Sequence, residues 1–99
     1  MAHEILVALD VTDEEEYRTY RLRMTPILES YGGRFAYDFR VSEVLKSDSE
    51  EPINRVFTIR FPDPDARRRF FADPEYLKVR EEHFVPSAGG ARVIGEWQT

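Results

Sequence analysis

The chain has 99 residues, 41% hydrophobic and 33% charged, with a formal charge of −5 and no cysteine. One domain spanning 1–99 with enough apolar material for a core follows, and a disordered chain is excluded. The acidic balance argues against nucleic acid, whose phosphates call for a basic face, and the missing thiols exclude disulfides, thiolate nucleophiles and thiolate metal sites.

His3 to Leu9 is predicted as the first strand. Ile5, Leu6, Val7, Ala8 and Leu9 form a continuous apolar run rather than an alternation, the pattern of a strand buried on both faces. The run is far too short to cross a bilayer and has no basic segment before it, so no membrane partner and a cytoplasmic location are expected. Asp13 to Tyr31 follows as a helix, Asp13 and Glu16 having capping-box spacing. Tyr17, Tyr20, Met24, Ile27, Leu28 and Tyr31 recur on one apolar stripe, with Arg18, Arg21 and Glu29 assigned to a solvated face. Pro26 is expected to kink this helix, and Gly32-Gly33 to end it with a left-handed cap.

Arg34 to Leu45 reads as the second strand, with Phe35, Tyr37, Phe39 and Val41 on one face and Ala36, Asp38, Arg40 and Ser42 on the other. Lys46 to Pro52 is a polar, exposed loop. Val56 to Phe61 alternates as the third strand, placing Phe57, Ile59 and Phe61 together against Val56, Thr58 and Arg60. Asp63-Pro64 starts a helix with an N-cap and a proline at the first helical position, and Asp73-Pro74 repeats that grammar. Ala66 and Phe70 are expected inside, and Arg67, Arg68 and Arg69 outside. Glu75 to Phe84 continues as helix, Pro86 to Gly90 is a turn, and Arg92 to Gln98 is the last strand.

The order β-α-β-β-α-β, with a short extra helix before the last strand, predicts an α+β, ferredoxin-like fold: a four-stranded antiparallel sheet with helices on one face. The first and third strands should be central. Helices can cover only one face, while the first strand is apolar on both. A second copy of the chain is therefore the expected partner, sheet against sheet, as a homodimer. In the hairpin of the second and third strands, setting Arg40 opposite Arg60 would oppose like charges. The preferred register sets Asp38 opposite Arg60 and Arg40 opposite Thr58, gathering Asp38, Arg40, Thr58 and Arg60 on the open face.

Tyr17 and Tyr20 before Pro26, the Tyr31-Gly32-Gly33 helix end, Phe61-Pro62 after the third strand, and Asp73-Pro74-Glu75-Tyr76 followed by Arg80 occur here in an order that resembles the domain of unknown function 1330 family. That family lies within the dimeric α+β-barrel superfamily. The resemblance covers nearly the whole chain and implies a ferredoxin-like fold and dimerisation. Its pattern is departed from in Val44 to Glu51, which lacks a Glu-Gly turn, and at His83, where an arginine or another polar residue is expected.

The chemistry rests on few residues. No HxxxH or carboxylate–histidine spacing points to a metal, and no phosphate loop, dinucleotide fingerprint or nucleophile–base pair points to a cofactor. The third strand also lacks the glycine–aromatic run of an RNA-binding βαββαβ domain. Arg60, on a central strand facing a partner, needs an answering negative charge from Asp38, Glu96 or a bound anion. Arg60 and Arg40, with Asp38 and Thr58, are therefore the candidate ligand-binding residues, for a small organic acid that an arginine fork fits. His83 and Tyr76 are the candidate catalytic residues, although the plainer reading makes His83 a helix-dipole partner or partly exposed polar residue, Tyr76 and Tyr37 core, and His3 a strand-start residue. Three functions follow: a homodimer binding a small anionic molecule, a cofactor-free enzyme such as a monooxygenase, isomerase or decarboxylase, or a structural or regulatory dimer.

Overall fold

The computed structural model describes all residues, Met1–Thr99. Its elements are β1 (His3–Val11), α1 (Glu14–Ser30), β2 (Arg34–Arg40), β3 (Arg55–Phe61), α2 (Pro64–Ala72), α3 (Pro74–Val79), a π-helical turn (Arg80–Phe84) and β4 (Ala88–Gln98). The four strands form one antiparallel sheet in the order β2-β3-β1-β4, so β1 and β3 are central as expected. This is a ferredoxin-like fold. No helix is long and apolar enough to cross a membrane.

Local signals explain the element ends. The Asp13 carboxylate accepts from Glu16 N at 3.1 Å and caps α1. The helix continues through Pro26 and closes at Gly32, whose φ of +79° is left-handed. Asp63 and Asp73 cap α2 and α3 in the same way, each followed by a proline at the start of its helix. β2 ends at Arg40 rather than Leu45 because its partner β3 starts only at Arg55, and the last rung is Val41 N donating to Asn54 O. β4 begins at Ala88, four residues before the expected Arg92, and continues the ladder along β1 to Val11.

The core lies between the sheet and the helices. Ile5, Leu9, Leu28, Phe61 and Phe70 have no exposed surface, and Tyr17, Tyr20, Met24 and Tyr76 join them. Burial of each large apolar side chain contributes about 1.5–3 kcal/mol, which makes this layer the main source of stability. The α1 stripe is as expected except that Arg21, assigned to the solvated face, lies only 17% exposed over the Phe35 ring, 3.9 Å from its centroid.

The register of β2 on β3 differs from the expected one. Phe35 lies opposite Ile59, but Tyr37 lies opposite Thr58, Asp38 opposite Phe57 and Arg40 opposite Arg55, with a bulge at Ala36. Arg60 faces Arg34 and Glu4, not Asp38. One extra residue reverses the faces beyond it. Phe35 stays on the helix side against Phe57, with ring centroids 5.3 Å apart. Tyr37 and Phe39 turn to the open side, stacked on each other and 60% and 56% exposed. Asp38 and Arg40 turn toward α1. Like-charge opposition proved weaker than side-chain pairing: Asp38 and Glu14 answer the arginines that the register brings together.

Candidate functional site

A cavity of about 220 Å³ lies between the sheet and the helices. Ile5 and Val7 of β1, Phe57 and Ile59 of β3 and Phe35 of β2 form its floor, Tyr20 and Met24 of α1 one wall, and Phe71 of α2 and Tyr76 of α3 another. The π-helical turn contributes Arg80 and Phe84, and β4 contributes Ala91, Arg92 and Val93. Twelve of the 14 lining residues are hydrophobic, so the hollow favours a molecule that is mostly hydrocarbon. Its volume is below the roughly 300–1,000 Å³ of pockets for drug-sized ligands, a size suited to one or two rings.

Its polar groups are few and specific. Tyr20 and Tyr76, both nearly fully buried, hold their hydroxyl oxygens 2.9 Å apart. The two residues are 56 positions apart in the chain, brought together because α3 packs across α1. Burial pushes the Tyr20 phenol up strongly, and its neighbour Tyr76 adds to the rise. Burial also raises Tyr76, with the Tyr20 hydrogen bond and the Arg80 charge pulling the other way. Both phenols therefore stay protonated at neutral pH and act as hydrogen-bond donors, not as bases. The pair contains two hydroxyl hydrogens and its bridge uses one, which leaves the other to donate to an oxygen in the cavity. Arg80 reaches the cavity with its guanidinium 5.4 Å from the Phe84 ring centroid. Arg92 is tied down by Gly90 O at 2.6 Å and Glu51 Oε2 at 3.3 Å.

Of the residues singled out by sequence, Tyr76 lies in this cavity. His83 lies beside it: its Nδ1 is 2.6 Å from Glu16 Oε1, tying the π-helical turn to α1. The group Asp38, Arg40, Thr58 and Arg60 is not one cluster. Thr58 and Arg60 are on the open face, while Asp38 and Arg40 are on the α1 side. Thr58 accepts the bulge amide of Tyr37 at 3.1 Å. The Arg60 guanidinium donates to Thr99 Oγ1 at 2.8 Å and has no carboxylate partner in the chain. Asp38 instead accepts from Arg55 Nε at 2.8 Å and Arg21 Nη1 at 3.2 Å. Burial works to raise the Asp38 carboxyl, but the Arg55 hydrogen bond and the Arg21 charge outweigh it and hold the group below the usual range. His3, the strand-start residue, has Nε2 3.2 Å from Glu96. Glu96, expected as a possible partner of Arg60, lies beside His3 and Arg67 instead.

Tyr20, Arg80 and Arg92 were not predicted as site residues. Tyr20 carried the signals of the apolar stripe and of the family resemblance, but no local pattern marks a tyrosine whose hydroxyl meets another across the fold. No group of three His, Asp or Glu side chains comes together to hold a metal ion. The cavity lining contains no carboxylate, imidazole or thiol.

The fold recurs in solved proteins. RPA0582 from Rhodopseudomonas palustris, described as a protein of unknown function, is 18% identical, with a TM-score of 0.78 over 99% of this chain and 82% of its own. A dabb (dimeric α+β barrel) family protein with a ferredoxin-like fold from Mesorhizobium loti is 17% identical, with a TM-score of 0.69 over 99% of this chain and 96% of that one. SnoaB from Streptomyces nogalater, described as a cofactor-independent oxygenase, is 19% identical, with a TM-score of 0.63 over 99% and 95%. At these identities the likeness shows the fold alone. No curated protein matches the chain. The profile described as "Domain of unknown function (DUF1330)" matches residues 5–87, from β1 to the turn before β4, and on that match the chain belongs to the DUF1330 family.

Proposed function

We propose that the protein is a homodimer, joined through its open sheet face, in which each subunit binds one small ring-containing organic molecule in the cavity between sheet and helices. The observation that carries this reading is the pairing of an apolar cavity with a buried, neutral tyrosine pair. Hydrocarbon rings would leave water for the Phe35, Phe57 and Phe84 surfaces. A carbonyl, enolate or carboxylate oxygen would accept the free tyrosine hydrogen, with Arg80 and Arg92 favouring negative charge on it.

The homodimer reading rests on the open face, where Tyr37, Phe39 and Trp97 are exposed and Leu6 and Val56 are half-buried. Exposed aromatics at both edges of a sheet face are best covered by another apolar surface, and the same face of a second copy offers one by symmetry. The Mesorhizobium loti neighbour, described as a dabb protein, supports it. Arg60 belongs to that interface in this reading. Light scattering at micromolar concentration should give about twice the 11.7 kDa chain mass; a monomer at that concentration removes the dimer.

The cavity reading is tested by a thermal-shift screen with one- and two-ring carboxylic acids and phenols, since a ligand that binds only the folded state raises its stability. Val93→Trp fills the cavity from a position 42% exposed, so it should abolish the shift while the chain still folds. Tyr76→Phe should weaken it, and Arg60→Ala should leave it unchanged. Absence of any stabilising compound, or a shift that survives Val93→Trp, rejects the cavity as the site.

A second reading makes the bound molecule a substrate, converted without a cofactor. SnoaB, described as a cofactor-independent oxygenase, supports it, as does a donor pair able to hold an enolate in a low-dielectric cavity. Oxygen uptake and product analysis on the screen's hits, repeated with Tyr76→Phe and Tyr20→Phe, separate binding from turnover.

A further inference from the structure

A second hollow, of about 210 Å³, opens beside the first two turns of α1 and is lined by Glu14, Tyr17, Arg18, Arg21, Arg40 and Arg55. From its geometry we infer that it is a binding site for a compact tetrahedral oxyanion of the phosphate class, distinct from the apolar cavity and independent of what that cavity binds.

The argument is one of charge and of unused donors. Four arginines meet here with two carboxylates, Glu14 and Asp38, in a chain whose overall charge is −5. The positive excess is therefore local. Asp38 is shared: Arg55 donates to it through Nε at 2.8 Å and Nη2 at 3.0 Å, and Arg21 through Nη1 at 3.2 Å and Nη2 at 3.4 Å. Both guanidinium groups are largely withdrawn from water, their side chains 17% and 16% exposed, so one carboxylate answers two partly desolvated cations. Arg55 Nη1 has no hydrogen-bond acceptor; its nearest carboxylate oxygen is on Glu14, 3.7 Å away. Arg40 reaches the same Glu14 only at 3.8 Å, and Arg18 has no ion-pair partner. Tyr17 accepts from Arg21 Nε at 2.9 Å, which orients its hydroxyl and leaves its own hydrogen to donate.

These donors arrive from α1, β2 and β3 rather than from one fork. A planar carboxylate is satisfied by a single guanidinium, whereas a tetrahedral oxyanion presents oxygens in several directions to converging arginines. The bulge at Ala36 is what turns Arg40 to this side; in the unbulged strand it would lie on the open face.

The test is calorimetric titration of the full chain with inorganic phosphate, at an ionic strength held constant with chloride because exposed charges are screened. Saturable binding is expected for the wild-type chain. Arg40→Glu should weaken it at least about tenfold, as should Arg18→Glu, each removing a charge-assisted contact and adding repulsion. The Arg40 side chain is 75% exposed, so its replacement should leave the fold intact. Arg68→Ala on α2 and Val93→Trp in the apolar cavity should leave phosphate binding unchanged. Phenyl phosphate in parallel tells the source of the oxyanion: equal affinity assigns the free ion, and tighter binding assigns the phosphoryl group of an organic ligand. No saturable binding of either compound overturns the site. An equal loss in Arg68→Ala overturns it as nonspecific charge, and loss in Val93→Trp with Arg40→Glu unaffected moves the anion to the cavity.

Discussion

β1 and β2 both run antiparallel to β3, yet they obey different rules. β1 pairs with β3 without interruption from His3–Phe61 to Leu9–Arg55, so Ile5, Val7 and Leu9 all point to the helices. β2 alternates apolar and polar residues along its length but slips by one at Ala36, and its later aromatics point away from the helices. Alternation therefore reports the period of a strand and not its phase. The phase of β2 is set by two demands at opposite parity. Phe35 packs on Phe57, and Asp38, three residues on, must reach Arg21 and Arg55 on the same side. An extra residue between them satisfies both, and Thr58 takes the amide this displaces.

Five measurements break or sharpen this comparison. The largest effect belongs to the regular strand: Ile5→Ala opens a cavity in the core and should cost about 3 kcal/mol in urea unfolding. A near-zero change would mean that the floor of the cavity collapses freely. Next comes the irregular strand's anchor. Asp38→Ala leaves Arg21 and Arg55 without their shared acceptor and should cost about 2 kcal/mol, discounted because Asp38 is 33% exposed. The same contact has a pH signature. Because the folded-state pKa of Asp38 is lowered, its contribution is present above the unfolded value and is lost as pH falls through the folded one. Stability should thus decline below about pH 4 in the wild type and less steeply in Asp38→Asn.

Thr58→Val tests the bulge itself. It removes the acceptor for Tyr37 N while nearly preserving shape, and should cost about 1 kcal/mol, with Thr58→Ser retaining the hydrogen bond. If valine is neutral at this position, water already satisfies that amide. The smallest effect on subunit stability is expected at the reversed aromatics. Tyr37→Ser and Phe39→Ser should change the unfolding of the isolated subunit by no more than about 0.5 kcal/mol, while weakening the proposed dimer measured by light scattering. Strong destabilisation of a monomer would place these rings in an intramolecular core instead.

Tyr76 was legible as a candidate because a tyrosine can donate a hydrogen bond and because it closes the Asp73-Pro74-Glu75-Tyr76 stretch, whose cap starts α3; its burial is a matter of the fold. Its partner Tyr20 was legible as a residue of the α1 stripe and of the family resemblance but not as a site residue, since a hydroxyl pair is a property of two helices and of neither alone. Arg60 was correctly placed on a central strand facing away from the helices. The charge expected beside it was misplaced, because cross-strand repulsion between exposed arginines is a small term next to partly buried ion pairs.

By itself the sequence determined whatever is decided within a few residues. The caps at Asp13, Asp63 and Asp73, the left-handed Gly32, the two-sided apolar run of β1 and the order of elements all rest on backbone sterics and short-range hydrogen bonds. Only the tertiary structure decided the phase of β2, the meeting of Tyr20 with Tyr76 and the convergence of arginines from three elements. Each of these is a compromise between side chains distant in the chain, where one inserted residue exchanges the faces of a strand at little local cost. Periodicity is blind to such an exchange, and packing is not.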